Sequence, residues 1–152
     1  MIVLDYLQIV PIKSKETTAK QAIDEIVRKL KNFQRETGTT FIVISSLNRA
    51  NYTQQVAFES FKESGNIEYS ADVVWGLQFY ATRELKEGAL SIGREVISKA
   101  KEANPRQVEL KCLKNRQGRN YSCFFEYDPA VDTFEVCEEE KFKEIRGKKI
   151  RN

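Results

Sequence analysis

Histidine is missing from this sequence altogether. With it go the Ser-His and Cys-His nucleophile pairs, the histidine general base and the commonest zinc ligand. Cysteine is scarce: Cys112, Cys123 and Cys137 are odd in number and show no C-x-x-C spacing. They suit neither a zinc site nor a disulfide framework, and read as reduced, mostly buried thiols of an intracellular protein. Long apolar runs are lacking too, so no stretch of about 18 residues could span a bilayer. The opening "MIVLDYLQIV" has no basic start and carries Asp5 in its middle, unlike a secretory signal. These absences predict a soluble, cytoplasmic protein with no membrane partner.

A strong charge imbalance is also lacking. Lys+Arg number 25 against Asp+Glu 22, a net charge of +3, so bulk charge does not argue for nucleic acid. The distribution is less even. Arg94, Lys99, Lys101, Arg106, Lys111, Lys114, Arg116 and Arg119 share one stretch with only Glu95, Glu102 and Glu109. Such a stretch is either a phosphate-facing patch or a solvated face, and composition alone leaves both open. At 152 residues and 41% hydrophobic content, length and composition indicate one domain with a real core. The end, "EEEKFKEIRGKKIRN", offers little to bury and is expected to be a flexible charged tail over 138–152.

The chain reads in order as a short apolar strand at 2–5 with its exit at 7–10, then a loop from Pro11. A helix is predicted from Thr18 to Thr37, because Ala19, Ala22, Ile23, Ile26, Val27, Leu30 and Phe33 share one face. Thr17 or Thr18 can cap its start, and Gly38 suits its end. "TTFIVIS" and "ADVVWGLQFY" are further buried strands, separated by the polar, irregular stretch 47–70. Ser91–Ala103 reads as a helix stopped by Asn104-Pro105, and "QVELKCLK", "YSCFFEY" and "DTFEV" as an antiparallel meander. Strand, helix, strand with continuously apolar strands indicates an α/β fold. Its sheet is expected to be mainly parallel, with helices on both faces and a C-terminal antiparallel extension.

Four short motifs stand out in this order: "DYLQ" (Asp5–Gln8), "SSLNR" (Ser45–Arg49), "ESGNIEYSADVV" (Glu63–Val74) and "KNRQG" (Lys114–Gly118). Together they resemble the C-terminal half of the RecA-like motor domain of DnaB-type replicative DNA helicases. The likeness runs over roughly residues 1–136, and the third block is its most specific part. It implies a partial RecA-like P-loop NTPase fold, with residues 1–137 as motor and 138–152 as tail.

The resemblance also implies roles. Asp5 matches the acid that holds Mg²⁺ through its water shell, at the strand end where open α/β sheets bind ligands. Lys62, Glu63 and Gly65 fall on the loop that grips single-stranded DNA, with lysine where the family usually has arginine. A glycine there lets main chain approach phosphate, and a lysine neutralises it as a point charge. Lys114 and Arg116 match a basic pair that reaches the ATP site of a neighbouring subunit in a ring, usually a hexamer. Spaced by two on a strand, they would point to one side. Ser46 stands at the nucleotide-sensing position, where the family has a glutamine, and its hydroxyl has a shorter reach.

One motif of the family is not found. There is no G-x-x-x-x-G-K-[ST] in the sequence, so the phosphate cradle and its lysine are lacking. In this ATPase class the phosphate-loop strand lies between the strands that would here be Phe41–Ser45 and Ala71–Gln78. The expectation is a fragment whose two strands either close up on each other or are bridged by another chain. Intact, such a motor uses ATP and Mg²⁺ to move along DNA; this chain alone is expected to bind neither tightly. The competing reading is a non-catalytic module that binds single strands or a helicase partner.

Overall fold

The computed structural model of the chain describes residues 1–11, 18–48, 52–61, 65–85 and 90–143. Two compact units are present, one formed by Met1–Tyr52 with Ala57–Asp72, the other by Thr53–Val56 with Val73–Asn152.

The first unit is a parallel pair with helices. β1 (Ile2–Leu4) lies beside β2 (Phe41–Val43) in register Ile2↔Phe41 to Leu4↔Val43, joined through α1 (Ala19–Thr37). α1 begins and ends where its sequence dictates. Thr18 accepts from the Gln21 N–H at 3.3 Å, while Gln21 Oε1 accepts from the Thr18 N–H at 3.0 Å, a reciprocal cap. Gly38 closes the helix in the left-handed conformation (φ 68°), which glycine adopts without a Cβ clash. Leu7, Ile23 and Ile26 form the core, flanked by Leu4, Val10, Val27, Leu30 and Ile67. Ile67 comes from α2 (Gly65–Ser70), a short helix in a stretch expected to be irregular. It was hidden because six residues starting on glycine show no helical period.

The second unit is a four-stranded antiparallel sheet, ordered β3 (Val73–Phe79), β4 (Arg106–Asn115), β5 (Ser122–Asp128), β6 (Thr133–Cys137). α3 (Leu90–Glu102) links β3 to β4. The fold is therefore α/β with a parallel and an antiparallel sheet, the antiparallel extension taking four of the six strands described. Among the described residues, β2 and β3 belong to different sheets.

Two expectations about burial need correction. The strands read as buried leave apolar side chains open, with Val3 56% exposed and Leu77 54%. Apolar content reports what a strand can bury: β3 is covered on one face only, and in β1 the successive residues Ile2 and Val3 are both exposed. Conversely, the stretch from 138 has something to bury. A helical turn at 139–143 carries Phe142, which is 0% exposed. Its ring meets those of Tyr80 at 5.0 Å and Phe124 at 6.1 Å, both edge-on. Averaged hydropathy concealed one aromatic among charges. The rest of the expected tail, 144–152, lies outside the described residues.

Candidate functional site

Parallel strands joined through a helix bring their C-terminal ends side by side, and here those ends carry polar residues. Asp5 directly follows β1 and is exposed. The pairing continues past both strands: the Ile44 N–H donates to the Leu4 carbonyl at 2.9 Å and the Leu7 N–H to the Ile44 carbonyl at 2.8 Å. Gln8 then ties the two exits together. Its Nε2 donates to Ser45 Oγ at 2.9 Å, and its Oε1 accepts from the Ser46 N–H and Ser46 Oγ, each at 3.2 Å. Ser46 is thus anchored to Gln8 by both main chain and side chain. A polar residue at the exit of an apolar strand is the only sequence signal for this role of Gln8.

The next motif is fixed by main chain. The Asn48 N–H donates to the Ser60 carbonyl at 2.7 Å, and Leu47 bridges Phe61. Arg49, Lys62 and Glu63 lie outside the described residues. Gly65 is the first residue of α2. Just beyond that helix, Asp72 of the same motif pairs with Lys31 of α1 at 2.6 Å.

Lys114 and Arg116 belong to the other unit. Lys114 is on β4, opposite Val74 of β3. β4 ends at Asn115, so Arg116 sits in the following turn, exposed, and the pleat does not align the pair as expected. Asn115 organises that turn. Its Oδ1 accepts from the Gln117 N–H at 3.3 Å, its Nδ2 donates to the Arg119 carbonyl at 3.3 Å, and its carbonyl accepts from the Gly118 N–H at 3.4 Å. A Cβ on Gly118 would lie 2.8 Å from Asn115 Nδ2, so a side chain there would push on the amide that holds the turn. Asparagine shortly before glycine is a turn signal that could have revealed this.

A buried polar cluster in the same unit was not foreseen. Glu109 of β4 is 0% exposed; it accepts from Gln78 Nε2 at 2.7 Å and from Ser122 Oγ at 2.6 Å, with Arg83 Nε at 3.6 Å. Arg83 also pairs with Glu139 and lies over the Tyr80 and Phe124 rings. Burial disfavours the Arg83 charge, but Glu109 and Glu139 outweigh it and raise its pKa. Burial likewise pushes the Cys137 thiol above its ordinary value, helped by the charge of Glu126.

The profile of the DnaB-like helicase C terminal domain matches residues 1–136. The chain belongs to that family. A relative, "Probable replicative DNA helicase" of Trieres chinensis, is 29% identical over 134 residues, covering 84% of this chain and 28% of its own. The replicative DNA helicase DnaB of Mycoplasma pneumoniae is 29% identical over 143 residues, 91% of this chain and 28% of the relative. This DnaB-like chain therefore spans under a third of the length of those relatives. Among solved structures, one ATPase domain superposes with a TM-score of 0.68 at 22% identity, over 90% of this chain and 44% of that one. A DnaB-like replicative helicase studied with primase gives 0.68 at 23%, over 90% and 30%. The fold is that of part of a RecA-like helicase ATPase domain. Among the described residues, no helix is long and apolar enough to cross a membrane.

Proposed function

We propose that this chain supplies the C-terminal part of a replicative helicase motor that, when intact, couples ATP hydrolysis to translocation on and unwinding of DNA. The observation that carries the reading is the family match over residues 1–136, on a chain whose Asp5 directly follows a parallel strand beside the Gln8–Ser46 link. Its partners are single-stranded DNA, the remaining part of the motor domain and neighbouring subunits of a ring, acting in the cytoplasm.

The residues fit a magnesium ion only in part. Asp5 is a single exposed carboxylate, and among the described residues no three or more of His, Cys, Asp and Glu come together as a metal site. One acid suits an ion that keeps its water shell and takes other ligands from phosphates. An ion held there would supply neutralising charge for a transferring phosphoryl group. Asp5 would orient its water shell, and Ser46, held by Gln8, would face the nucleotide from the next strand. Lys114 and Arg116 would serve the site of a neighbouring subunit, while Lys62, Glu63 and Gly65 would lie along the DNA strand. The chain by itself would hold ATP and Mg²⁺ weakly.

In a full-length motor carrying this segment, Lys114→Ala should abolish ATP hydrolysis and leave DNA binding largely intact. Turnover equal to the unmodified motor would sink the role given to Lys114. Salt-dependent DNA binding by the chain alone, indifferent to nucleotide in every context, would instead favour the stand-alone binding module.

A further inference from the structure

Val56, Gln78 and Glu109 form a buried line through the antiparallel unit, exposed by only 2%, 9% and 0%. The Val56 N–H donates to Gln78 Oε1 at 2.7 Å, and Gln78 Nε2 donates to Glu109 Oε2 at 2.7 Å. One carboxamide thus uses its acceptor and its donor at once, and these two partners fix its orientation.

Packing holds the same segment. A Cβ on Gly76 would lie 2.5 Å from Val56 Cγ2, and one on Gly93 would lie 2.6 Å from Thr53 Cβ. The strip Thr53–Val56 is therefore pressed against β3 and α3 with no room to spare. Immediately after it the chain passes into the other unit, at Ala57. There the Ala57 N–H donates to Ser60 Oγ at 2.9 Å, and Ser60, 1% exposed, leads to Phe61. At the far end of the line, Glu109 shares β4 with Lys114.

We propose that Gln78 is a coupling residue that links the stretch entering segment 61–65 to β4, the strand that carries Lys114 and leads to Arg116. This rests on the reading of 61–65 as a DNA contact. A displacement of residues 57–61 on binding a strand pulls on the Val56 N–H. The carboxamide cannot follow without straining its bond to Glu109, and at both ends burial denies water as a substitute partner. Ser122 holds the other oxygen of the carboxylate, so the displacement is passed to the strand rather than absorbed by rotation of Glu109.

The test is amide NMR of the isotope-labelled chain titrated with a single-stranded oligothymidylate at low salt. Shifts at 57–70, at Val56, at the Gln78 side-chain amide and at 113–116 should saturate together. Gln78→Met should keep binding and the shifts at 57–70 but lose those at 113–116. Should that variant fail to fold, Gln78→Asn, one methylene too short for the span, replaces it. Glu109→Gln keeps an acceptor oxygen, and Ser122→Ala removes a bond outside the line, so both should preserve the shifts at 113–116. Shifts at 113–116 that survive in a folded Gln78 variant, or that are absent in the unmodified chain, overturn the coupling. No binding at all overturns the DNA reading of 61–65 and the coupling with it.

Discussion

Gln8 Oε1 and the Ser46 N–H, 38 residues apart in sequence, meet at 3.2 Å. The contact joins the exits of two parallel strands that are otherwise three residues long each. Gln8→Ala removes it together with the bonds to Ser45 Oγ and Ser46 Oγ. The expected cost is about 1–2 kcal/mol, since each partly buried hydrogen bond contributes about 1 kcal/mol and such losses are not additive. Urea unfolding of the variant measures it, and an unchanged midpoint would show that the link is dispensable.

Phe142→Ala should be among the most damaging single changes in the chain. The ring is fully buried between Tyr80 and Phe124, and truncating a buried phenylalanine costs about 3–5 kcal/mol. A variant with native stability would restore the reading of 138–152 as a flexible tail.

Gly76→Ala adds one methyl group where none fits, since the new Cβ would meet Val56 Cγ2 at 2.5 Å and Val56 Cγ1 at 2.7 Å. Overpacking of this kind costs about 1–3 kcal/mol. Combining it with Val56→Ala should recover part of the loss in the same unfolding assay; purely additive effects would argue against direct contact.

Glu139 makes part of the stability depend on acid. Burial pushes its carboxyl up, but hydrogen bonds from Lys143 and Tyr80 and the charge of Arg83 outweigh that and hold it below its ordinary value. A carboxyl lowered in the folded state stabilises fully above its unfolded pKa and stops contributing as pH falls through its folded one. Melting temperature compared across pH should show Glu139→Gln less stable at neutral pH. The gap should narrow below about pH 4.5, the ordinary glutamate range. A gap that does not change with pH would rule out this linkage.

Much of this was written in the sequence. The reciprocal Thr18–Gln21 cap and Gly38 set the ends of α1 because caps are local chemistry, and the order of the four motifs led to the family. Non-local features stayed hidden. Glu109 sits in the alternating "QVELKCLK", where an acid reads as a solvent position, and its partners Gln78 and Ser122 lie 31 and 13 residues away. The turn that carries Arg116 reads as strand in the sequence because the register that ends β4 at Asn115 is set by pairing across the sheet, not by composition. Lys62 and Glu63 remain readings of the motif.

β3 has a last consequence. Its seven residues, "VVWGLQF", contain neither charge nor proline, Trp75 and Leu77 are exposed, and among the described residues only β4 pairs with it. Sheets elsewhere guard such an edge with lysine or proline, because a bare ladder of N–H and C=O groups templates the addition of further strands. On its own at high concentration, the chain is therefore prone to aggregate through this edge. Its solubility and its folding free energy are separate properties, and a gain in one need not bring a gain in the other.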